Sequence, residues 1–291
     1  MSLLIQTILN GLLVGGLFVT LSIGFSLSFG VLDVVDFAVG EWVMLGAFAG
    51  VASTTWLRID PIAFLPVVFV FFAVVGWLVA PLIYRVRNSR NARPALMALA
   101  FTFGLATLAR GGMLTAVGFD PRTVKIGVVQ GTVTLGAVEI PTLRLAGFAF
   151  AAVATGLFML FLYRTRTGLA VRAVAQNKEI AGLMGVDVKR TSNFVYSLYA
   201  GLTSMAGVLI GGIYSITAQD GPTYTLMAFF VVVLAGLGSV GGVLVAGLVL
   251  GVLESLVTVY VSADFTLAIV FGILFLVLVI SPRGILRRGT A

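Results

Sequence analysis

The chain has 291 residues, of which 60% are hydrophobic and only 10% are charged, and its mean hydropathy is +1.15. Soluble domains carry about 25% charged residues, so this composition excludes an ordinary soluble globular protein and indicates a chain embedded in lipid. The net charge of +7 would fit a nucleic-acid partner. We expect none, because the basic residues cluster between apolar stretches, as they do in the cytoplasmic loops of membrane proteins.

Apolar segments follow one another along the whole chain, and a transmembrane helix needs about 20 such residues. The opening MSLLIQTILNGLLVGG lacks a basic start and a clear cleavage site, so it is predicted as the first span and not as a signal peptide. The candidate spans, in chain order, are Ile5–Phe29, Phe37–Leu57, Ile62–Tyr84, Ala95–Val117, Leu143–Tyr163, Phe194–Tyr214, Leu226–Val261 and Phe265–Ile280.

Two places in this series predict interrupted helices. The segment Leu226–Val261 is too long for one span, and the run GLGSVGG at 236–242 is expected to divide it in two. The segment around Asp33 and Asp36 is expected to be a half-helix. The sequence therefore predicts an all-α polytopic membrane protein, a bundle of about 8–10 transmembrane segments with broken or re-entrant helices, in a single domain over residues 1–291.

Basic residues predict the orientation. Most of the 18 lysines and arginines lie in three regions, which we expect to face the cytoplasm: Arg85, Arg87, Arg90 and Arg93, then Arg164, Arg166, Arg172, Lys178, Lys189 and Arg190, then Arg283, Arg287 and Arg288. An even number of membrane crossings must separate regions on the same side, so the segment 226–261 must cross twice or re-enter. Three spans precede residue 85, and this odd number places the N-terminus outside. The stretch 118–142 has glycine and proline punctuation and alternating polarity, which predict an extracytoplasmic loop with a short hairpin.

One long basic stretch, RTRTGLAVRAVAQNKEIAGLMGVDVKR at 164–190, interrupts the apolar chain. It predicts two short helices, Leu169–Gln176 and Lys178–Met184, with Asn177 as the N-cap of the second. Helical spacing places Ile180, Leu183 and Met184 on one face. Such a face fits the groove of a partner protein or the surface of an anionic membrane, and the shape of the stretch alone leaves both open.

The chain shows no energy source of its own. None of its three lysines follows a glycine as the lysine of an ATP-binding P-loop does. Charged residues within the spans are few, chiefly Glu41, Arg110 and Glu254, although each costs about 2.5–3.5 kcal/mol at the membrane centre. Histidine is absent and no array of carboxylates suggests a proton wire. These features favour the membrane half of an assembly that is driven from the cytoplasm.

The stretch 164–190 resembles, nearly residue for residue, the cytoplasmic loop of permease subunits of branched-chain amino-acid ABC importers, the LivH-like family. The piece NGLLVGGLFVTLSIGFSLSFGVLDVVDFAVGEWVMLGAF (10–48) resembles the first segment of that family, which typically carries Asn-Phe-Ala-His-Gly. Here Asp36 replaces the asparagine and Val39 replaces the histidine. The piece LAGLGSVGGVLVAG (234–247) resembles the glycine-rich signature of the family, and the likeness covers nearly the whole chain.

This resemblance implies an importer permease and its partners: two ABC ATPase subunits, a second permease subunit of similar fold, a soluble solute-binding protein and the lipid of the inner (plasma) membrane. It implies that this chain binds no cofactor, since ATP is bound by the partner subunits, and that it is not an enzyme and has no catalytic or metal site. The loop would carry the coupling helix, with these residues at the ATPase interface: Gly168, Arg172, Ala175, Asn177, Ile180, Leu183, Met184 and Gly185.

Polar or small residues on otherwise apolar spans are the candidates for the translocation path of branched-chain or other hydrophobic amino acids or related small solutes. They are Asp36, Phe37, Gly40, Glu41, Thr102, Gly104, Gly236, Gly238 and Ser239. The run 236–242 fits either a broken helix beside the path or a tight turn. The alternative function is a self-contained secondary transporter or channel for small amphipathic solutes.

Pairs of small residues spaced by four predict close helix packing. They are Gly11–Gly15, Gly46–Gly50, Gly207–Gly211, Gly238–Gly242 and Gly247–Gly251.

Overall fold

The structure, a computed structural model, describes residues 2–89, 93–129, 131–135 and 138–280. Four of the basic residues used to predict the orientation, Arg90, Arg283, Arg287 and Arg288, lie outside these ranges. The described helices are α1 (Ser2–Leu32), α2 (Val39–Ala52), α3 (Pro61–Arg87), α4 (Pro94–Val117), α5 (Thr142–Arg164), α6 (Arg166–Gln176), α7 (Lys178–Leu183), α8 (Val188–Ile213), α9 (Gly221–Ala235), α10 (Val240–Tyr260) and α11 (Thr266–Ile280).

Seven helices in the described ranges are long and apolar enough to cross a membrane. They are α1, α3, α4, α5, α8, α10 and α11, the last together with the 3-10 turn Ala263–Phe265 before it. Two more apolar helices are shorter: α2 has 14 residues and continues into a π-helical turn, Ser53–Leu57, and α9 has 15 residues. The predicted all-α polytopic class is confirmed, and each predicted span corresponds to one of these helices.

The two predicted interruptions are present. The chain leaves α1 after Leu32, and α2 begins only at Val39. Asp33 has a φ of 57°, a left-handed conformation that aspartate adopts more readily than most residues. Between α9 and α10 the chain turns over residues 236–239, where Gly236 and Gly238 have φ values of 87° and 84°. At 1.5 Å per residue α2 is about 21 Å long, which is shorter than the ~30 Å hydrocarbon core of a bilayer.

One end of the bundle, the outer end, gathers the start of α1, the connection between α2 and α3, and a two-stranded hairpin. The strands are β1 (Thr132–Leu135) and β2 (Val138–Pro141), paired antiparallel, so the short hairpin predicted within 118–142 is present. The side chain of Gln6 donates a hydrogen bond of 3.4 Å to the carbonyl oxygen of Glu139. The carboxylate of Asp60 accepts bonds of 2.9 and 3.0 Å from the N–H groups of Gly127 and Val128.

The opposite end, the basic end, gathers the C-terminal ends of α1 and α3 with α6 and α7. Arg87 at the end of α3 pairs there with Asp33 after α1. This is the end that the basic residues of the sequence predict to face the cytoplasm. The four apolar helices α8 to α11 follow the basic stretch 164–190, which is the even number that this orientation requires.

The core of the bundle lies around α1 and α8, which are the most buried of the long helices, whereas α3, α4, α5 and α11 present wide apolar faces outward. Glycines let the central helices approach. A Cβ added at Gly11 would lie 2.6 Å from the Cα of Val252 on α10. A Cβ at Gly46 or Gly207 would overlap the carbonyl oxygen of Ser204 or Val43, respectively. The small-residue pairs on α1, α2, α8 and α10 therefore lie at helix–helix contacts, as predicted.

Adding a side chain at one of these contacts should destabilise the bundle. We expect Gly46→Val to cost about 1–3 kcal/mol, the usual cost of overpacking, because the backbone of α8 would have to move away from α2. The thermal midpoint of the purified protein in detergent measures the effect. Gly112→Val on α4 is the matched control, because nothing lies within 4 Å of a Cβ at that position. Equal midpoints for the two variants would contradict the packing.

Candidate functional site

A buried polar cluster surrounds the break between α1 and α2. Asp36 is 2% exposed, and both of its carboxylate oxygens have donors. Oδ1 accepts a 2.8 Å bond from the N–H of Ala38, and Oδ2 accepts a 2.8 Å bond from the hydroxyl of Tyr196 on α8. Tyr196 also accepts a 3.4 Å bond from the indole N–H of Trp42. A carboxylate held in this way is fixed inside the apolar bundle and anchors the start of α2 to α8.

The peptide units on either side of Phe37 are held by hydroxyl groups from two other helices. The N–H of Phe37 donates a 3.4 Å bond to Oγ1 of Thr102 on α4. Its carbonyl oxygen lies 3.2 Å from Oγ1 of Thr225 on α9. The ring of Phe37 meets the ring of Phe103 edge to face, with 6.2 Å between the centroids. The irregular backbone thus finds protein partners where water and helical partners are both missing.

The N-terminal turns of the two short helices meet at this cluster. The N–H of Gly40 donates a 3.0 Å bond to Oγ1 of Thr225, whose hydroxyl also lies 3.1 Å from the carbonyl oxygen of Gly221. A Cβ on Gly40 would overlap that carbonyl oxygen. Glycine is therefore needed at position 40 for α2 and α9 to approach, and Thr225 joins the two turns.

Glu41 lies at this meeting point and is 2% exposed. Its carboxylate lies against Gly221, the first residue of α9, and Glu41 itself is in the first turn of α2. Helix N-termini carry partial positive charge, so two of them stabilise this carboxylate. Its Oε2 atom has no hydrogen-bond partner among the described residues. The cluster therefore combines buried carboxylates and helix N-termini at a break in the bundle, the arrangement that discontinuous helices give to transporters.

The structure brings together five of the nine residues predicted for the path, and the other four lie apart from them. The five at the cluster are Asp36, Phe37, Gly40, Glu41 and Thr102. Gly104 is near Thr102 in sequence but is exposed, with nothing within 4 Å of a Cβ at its position. Gly236, Gly238 and Ser239 form the turn between α9 and α10 at the basic end, where Gly238 packs against Gly30.

That turn is a compact connection between two antiparallel helices. Two positive φ values reverse the chain direction, and Oγ of Ser239 accepts a 3.2 Å bond from the N–H of Gly242 as the N-cap of α10. Of the two interpretations that the glycine run allowed, the tight turn describes its geometry. The roles of these residues in transport remain predictions.

Two residues of the cluster were missed from the sequence. Thr225 begins the second turn of α9, and Tyr196 lies among the apolar residues of α8. A weak signal existed for Tyr196, because Tyr199 follows it by three residues and both hydroxyls share one face of an apolar helix. Thr225 carries no such signal, since its role depends on the approach of α2 from a distant part of the sequence.

The predicted helix pair at the basic end is also present. Thr165 caps α6 by accepting a 2.9 Å bond from the N–H of Gly168, so α6 begins three residues earlier than predicted. Asn177 caps α7, as predicted, by accepting a 3.0 Å bond from the N–H of Ile180. Gly185 ends it with a φ of 86°. The pair therefore consists of two short helices with defined ends.

One side of this pair is anchored to the bundle. Val171 and Val174 are buried, and a Cβ at Gly168 would lie 2.5 Å from the carbonyl oxygen of Leu162, so glycine lets α6 fold back on α5. The guanidinium of Arg172 lies over the ring of Tyr163, 5.0 Å from its centroid. Arg172 and Gly168 thus hold α6 in place, and Ala175 packs beside Gly30 at the end of α1.

The other side is an apolar ridge open to solvent, which we call the α7 ridge: Ile180, Leu183 and Met184. These side chains are 59%, 87% and 81% exposed, respectively. Three large apolar side chains therefore form an exposed patch on an anchored helix pair, and patches of this kind are typical of interaction sites.

An ion pair and a polar cavity lie behind the α7 ridge. The guanidinium of Arg87 pairs with the carboxylate of Asp33, and its Nε donates a 3.1 Å bond to the carbonyl oxygen of Asp33. Both residues line a cavity of about 500 Å³ together with Lys178 and the end of α6. Burial lowers the pKa of Lys178; the carboxylate of Asp33 raises it, and the charge of Arg87 lowers it further. The break after α1 therefore contacts the helix pair through charged groups.

The fold and the cluster define a class of protein: a polytopic membrane transport protein with discontinuous helices. The family described as "Branched-chain amino acid transport system / permease component" matches residues 7–278. The chain belongs to this family. It is a permease subunit of an ABC importer and a multi-pass protein of the inner membrane. Importers of this kind work with ATPase subunits and a solute-binding protein.

The relatives are similar over nearly their whole length. The high-affinity branched-chain amino acid permease protein LivH of Escherichia coli K12 is 29% identical over 297 residues, which cover 98% of this chain and 96% of LivH. The BraD permease protein of Pseudomonas aeruginosa is 26% identical over 294 residues, with the same coverage of each chain. A probable LivH of Methanocaldococcus jannaschii is 28% identical over 296 residues, 96% of this chain and 92% of its own. No solved structure matches.

The hydroxyl of Thr225 should be required for the cluster. We expect Thr225→Val, which keeps the shape but removes the hydroxyl, to leave the N–H of Gly40 unsatisfied and to cost about 1–3 kcal/mol. A lower thermal midpoint and reduced uptake in vesicles containing the complete importer would show this. Thr225→Ser retains the hydroxyl and is the control; a valine variant as stable and active as the serine variant would be evidence against the role.

The ion pair at the basic end should be measurable by a double-mutant cycle. Asp33→Asn keeps a residue that tolerates a positive φ, and Arg87→Gln removes the partner charge. Because the pair is partly exposed, we expect a coupling energy of about 0.2–1 kcal/mol, obtained from the thermal midpoints of the four proteins in the cycle. Arg85→Gln, an exposed arginine on the same helix, should leave the effect of Asp33→Asn unchanged. Strict additivity of the two substitutions would contradict the pairing.

Proposed function

We propose that this permease forms, with a second permease subunit of similar fold, the translocation path for branched-chain or other hydrophobic amino acids. The solute arrives on a soluble binding protein, and two ATPase subunits bind the ATP that drives the cycle. The chain itself binds no cofactor and catalyses no covalent reaction. The substrate class is supported by the names of three relatives that match nearly the whole chain, each of which is a branched-chain amino acid permease protein.

The exposed α7 ridge is the observation that carries the coupling part of the proposal. Its position on a helix pair that is anchored to α5 allows a push from a docked ATPase to reach the bundle without being lost in a flexible loop. An interfacial lipid helix would present its apolar face toward the membrane. In contrast, α6 turns its own apolar side into the protein, so the pair is held by the bundle and does not depend on lipid for its position.

The polar cluster supports the transport of a zwitterion. The N-terminal turns of α2 and α9 favour a carboxylate, and the acidic side chains of Asp36 and Glu41 favour an ammonium group. Both kinds of group lie at the place where the helices are broken, so a change in the angle between α1 and α2 would rearrange them. Discontinuous helices near a substrate path commonly serve alternating access in this way.

The ridge should be required for coupling and not for membrane insertion. A triple variant in which glutamate replaces Ile180, Leu183 and Met184 would bring three negative charges into the docking groove of the ATPase. We expect ATPase binding to weaken by at least about tenfold, which corresponds to about 1.4 kcal/mol, and uptake to fall with it. The apolar triple variant Ile180→Leu/Leu183→Met/Met184→Leu is the control. Normal uptake by the glutamate variant would reject the docking role.

Energy dependence separates this proposal from a self-contained secondary carrier. The buried carboxyl groups of Asp36 and Glu41 are the features that such a carrier could use. In proteoliposomes containing the complete importer and its binding protein, we expect leucine uptake to require ATP and to persist when a proton ionophore is added. Uptake without ATPase subunits that collapses with the ionophore would instead establish the carrier.

A further inference from the structure

An apolar groove of about 410 Å³ runs along the outside of the bundle between α3, α5 and α8. Its walls are apolar side chains of α5, from Phe150 to Phe161, and of α8, from Phe194 to Met205, with Phe69 of α3 beside them. Side chains on its rim such as Val153 and Leu157 are largely exposed. The groove exists because α5 packs mainly on α1 and leaves a gap to α8.

The length of the groove along α5 is about the thickness of one leaflet of a membrane. Phe150 to Phe161 extends over about 16 Å at 1.5 Å per residue, and half of a ~30 Å hydrocarbon core is about 15 Å. The rings of Phe161 and Phe194, with 5.8 Å between their centroids, mark the end nearest the basic end of the bundle. The groove therefore lies in the cytoplasmic leaflet.

Two arginines flank this end of the groove. Arg164 follows Phe161 by three residues, and Arg190 precedes Phe194 by four, so helical spacing places each on the groove side of its helix. Both are exposed. Neither takes part in a salt bridge within the described ranges, where the one ion pair joins Arg87 and Asp33. Uncompensated positive charge thus lies at the depth of the phospholipid headgroups.

We propose that this groove is a binding site for an anionic phospholipid of the cytoplasmic leaflet. One acyl chain lies between α5 and α8 against Leu157 and Leu198, and the headgroup phosphate lies between Arg164 and Arg190. Apolar packing alone would not select one lipid over another in a membrane, because all acyl chains are equally apolar. Charge complementarity with the two arginines selects the anionic headgroup.

The test uses the full-length permease in nanodiscs of phosphatidylglycerol and phosphatidylcholine, released into native mass spectrometry to count the lipids that each chain retains. We expect preferential retention of phosphatidylglycerol. Arg164→Gln/Arg190→Gln should weaken it by about fivefold for each arginine removed. The matched control Arg166→Gln/Lys189→Gln removes the same charge from the same region. Lys189 lies on the side of α8 that carries the buried Asn193, away from the groove, so retention should be unchanged.

A second variant tests the groove and leaves the arginines in place, so the site can be judged even if the arginine variant fails to assemble. Leu157→Trp fills the groove with a larger apolar side chain and should displace the retained lipid. The chain contains no cysteine, so Leu157→Cys provides a single thiol for a photo-cross-linker. We expect lipid adducts from this position in native membranes.

Three results would overturn the proposal. The first is an equal loss of retained lipid in the arginine variant and in its matched control. The second is equal retention of phosphatidylcholine and phosphatidylglycerol. The third is a cross-link from position 157 to another protein subunit, which would make the groove a protein interface.

Discussion

The break between α1 and α2 leaves peptide groups without helical partners inside the bundle, and the structure depends on how they are satisfied. Three hydroxyl groups complete the environment of the break: those of Thr102 and Thr225 bind the peptide units around Phe37, and that of Tyr196 binds the carboxylate of Asp36. They come from α4, α9 and α8, so a single irregular segment ties α1 and α2 to three other helices. A helix break of this kind is stable only inside a bundle that brings those helices to it.

Close packing brings these helices to the break between α1 and α2. A hydroxyl group reaches its partner only within about 3 Å, so helices that exchange such bonds must be nearly in backbone contact. Gly40 against the carbonyl oxygen of Gly221, and Gly207 against that of Val43, provide this contact. The hydrogen bonds of the cluster therefore depend on the glycines at these positions. A side chain larger than hydrogen at position 40 would separate α2 from α9, and the N–H of Gly40 would lose its bond to Thr225.

Features that depend on residues close together in the sequence could be predicted, and features that depend on contacts between distant segments largely could not. Some features depend on neighbouring residues, and the sequence indicates them: the spans, the helix pair at 164–190, the cap Asn177 and the division at 236–239. The path residues depend on contacts between distant segments. Asp36 and Glu41 could be selected because charges in an apolar span are rare, but Thr225 resembles any threonine near a helix start. Gly236 and Gly238 were grouped with them because glycine signals both turns and broken helices.

The two ends of the molecule are connected by α1. Its last turn packs through Gly30 against Ala175 of α6, and Arg87 binds both the side chain and the carbonyl oxygen of Asp33 where α1 ends. The polar cluster begins only three residues later, at Asp36. A displacement of α6 and α7 must therefore move the end of α1 or break these contacts. The shortest route from the α7 ridge to the buried carboxylates is thus a single turn of irregular backbone, which bends more easily than any of the helices around it.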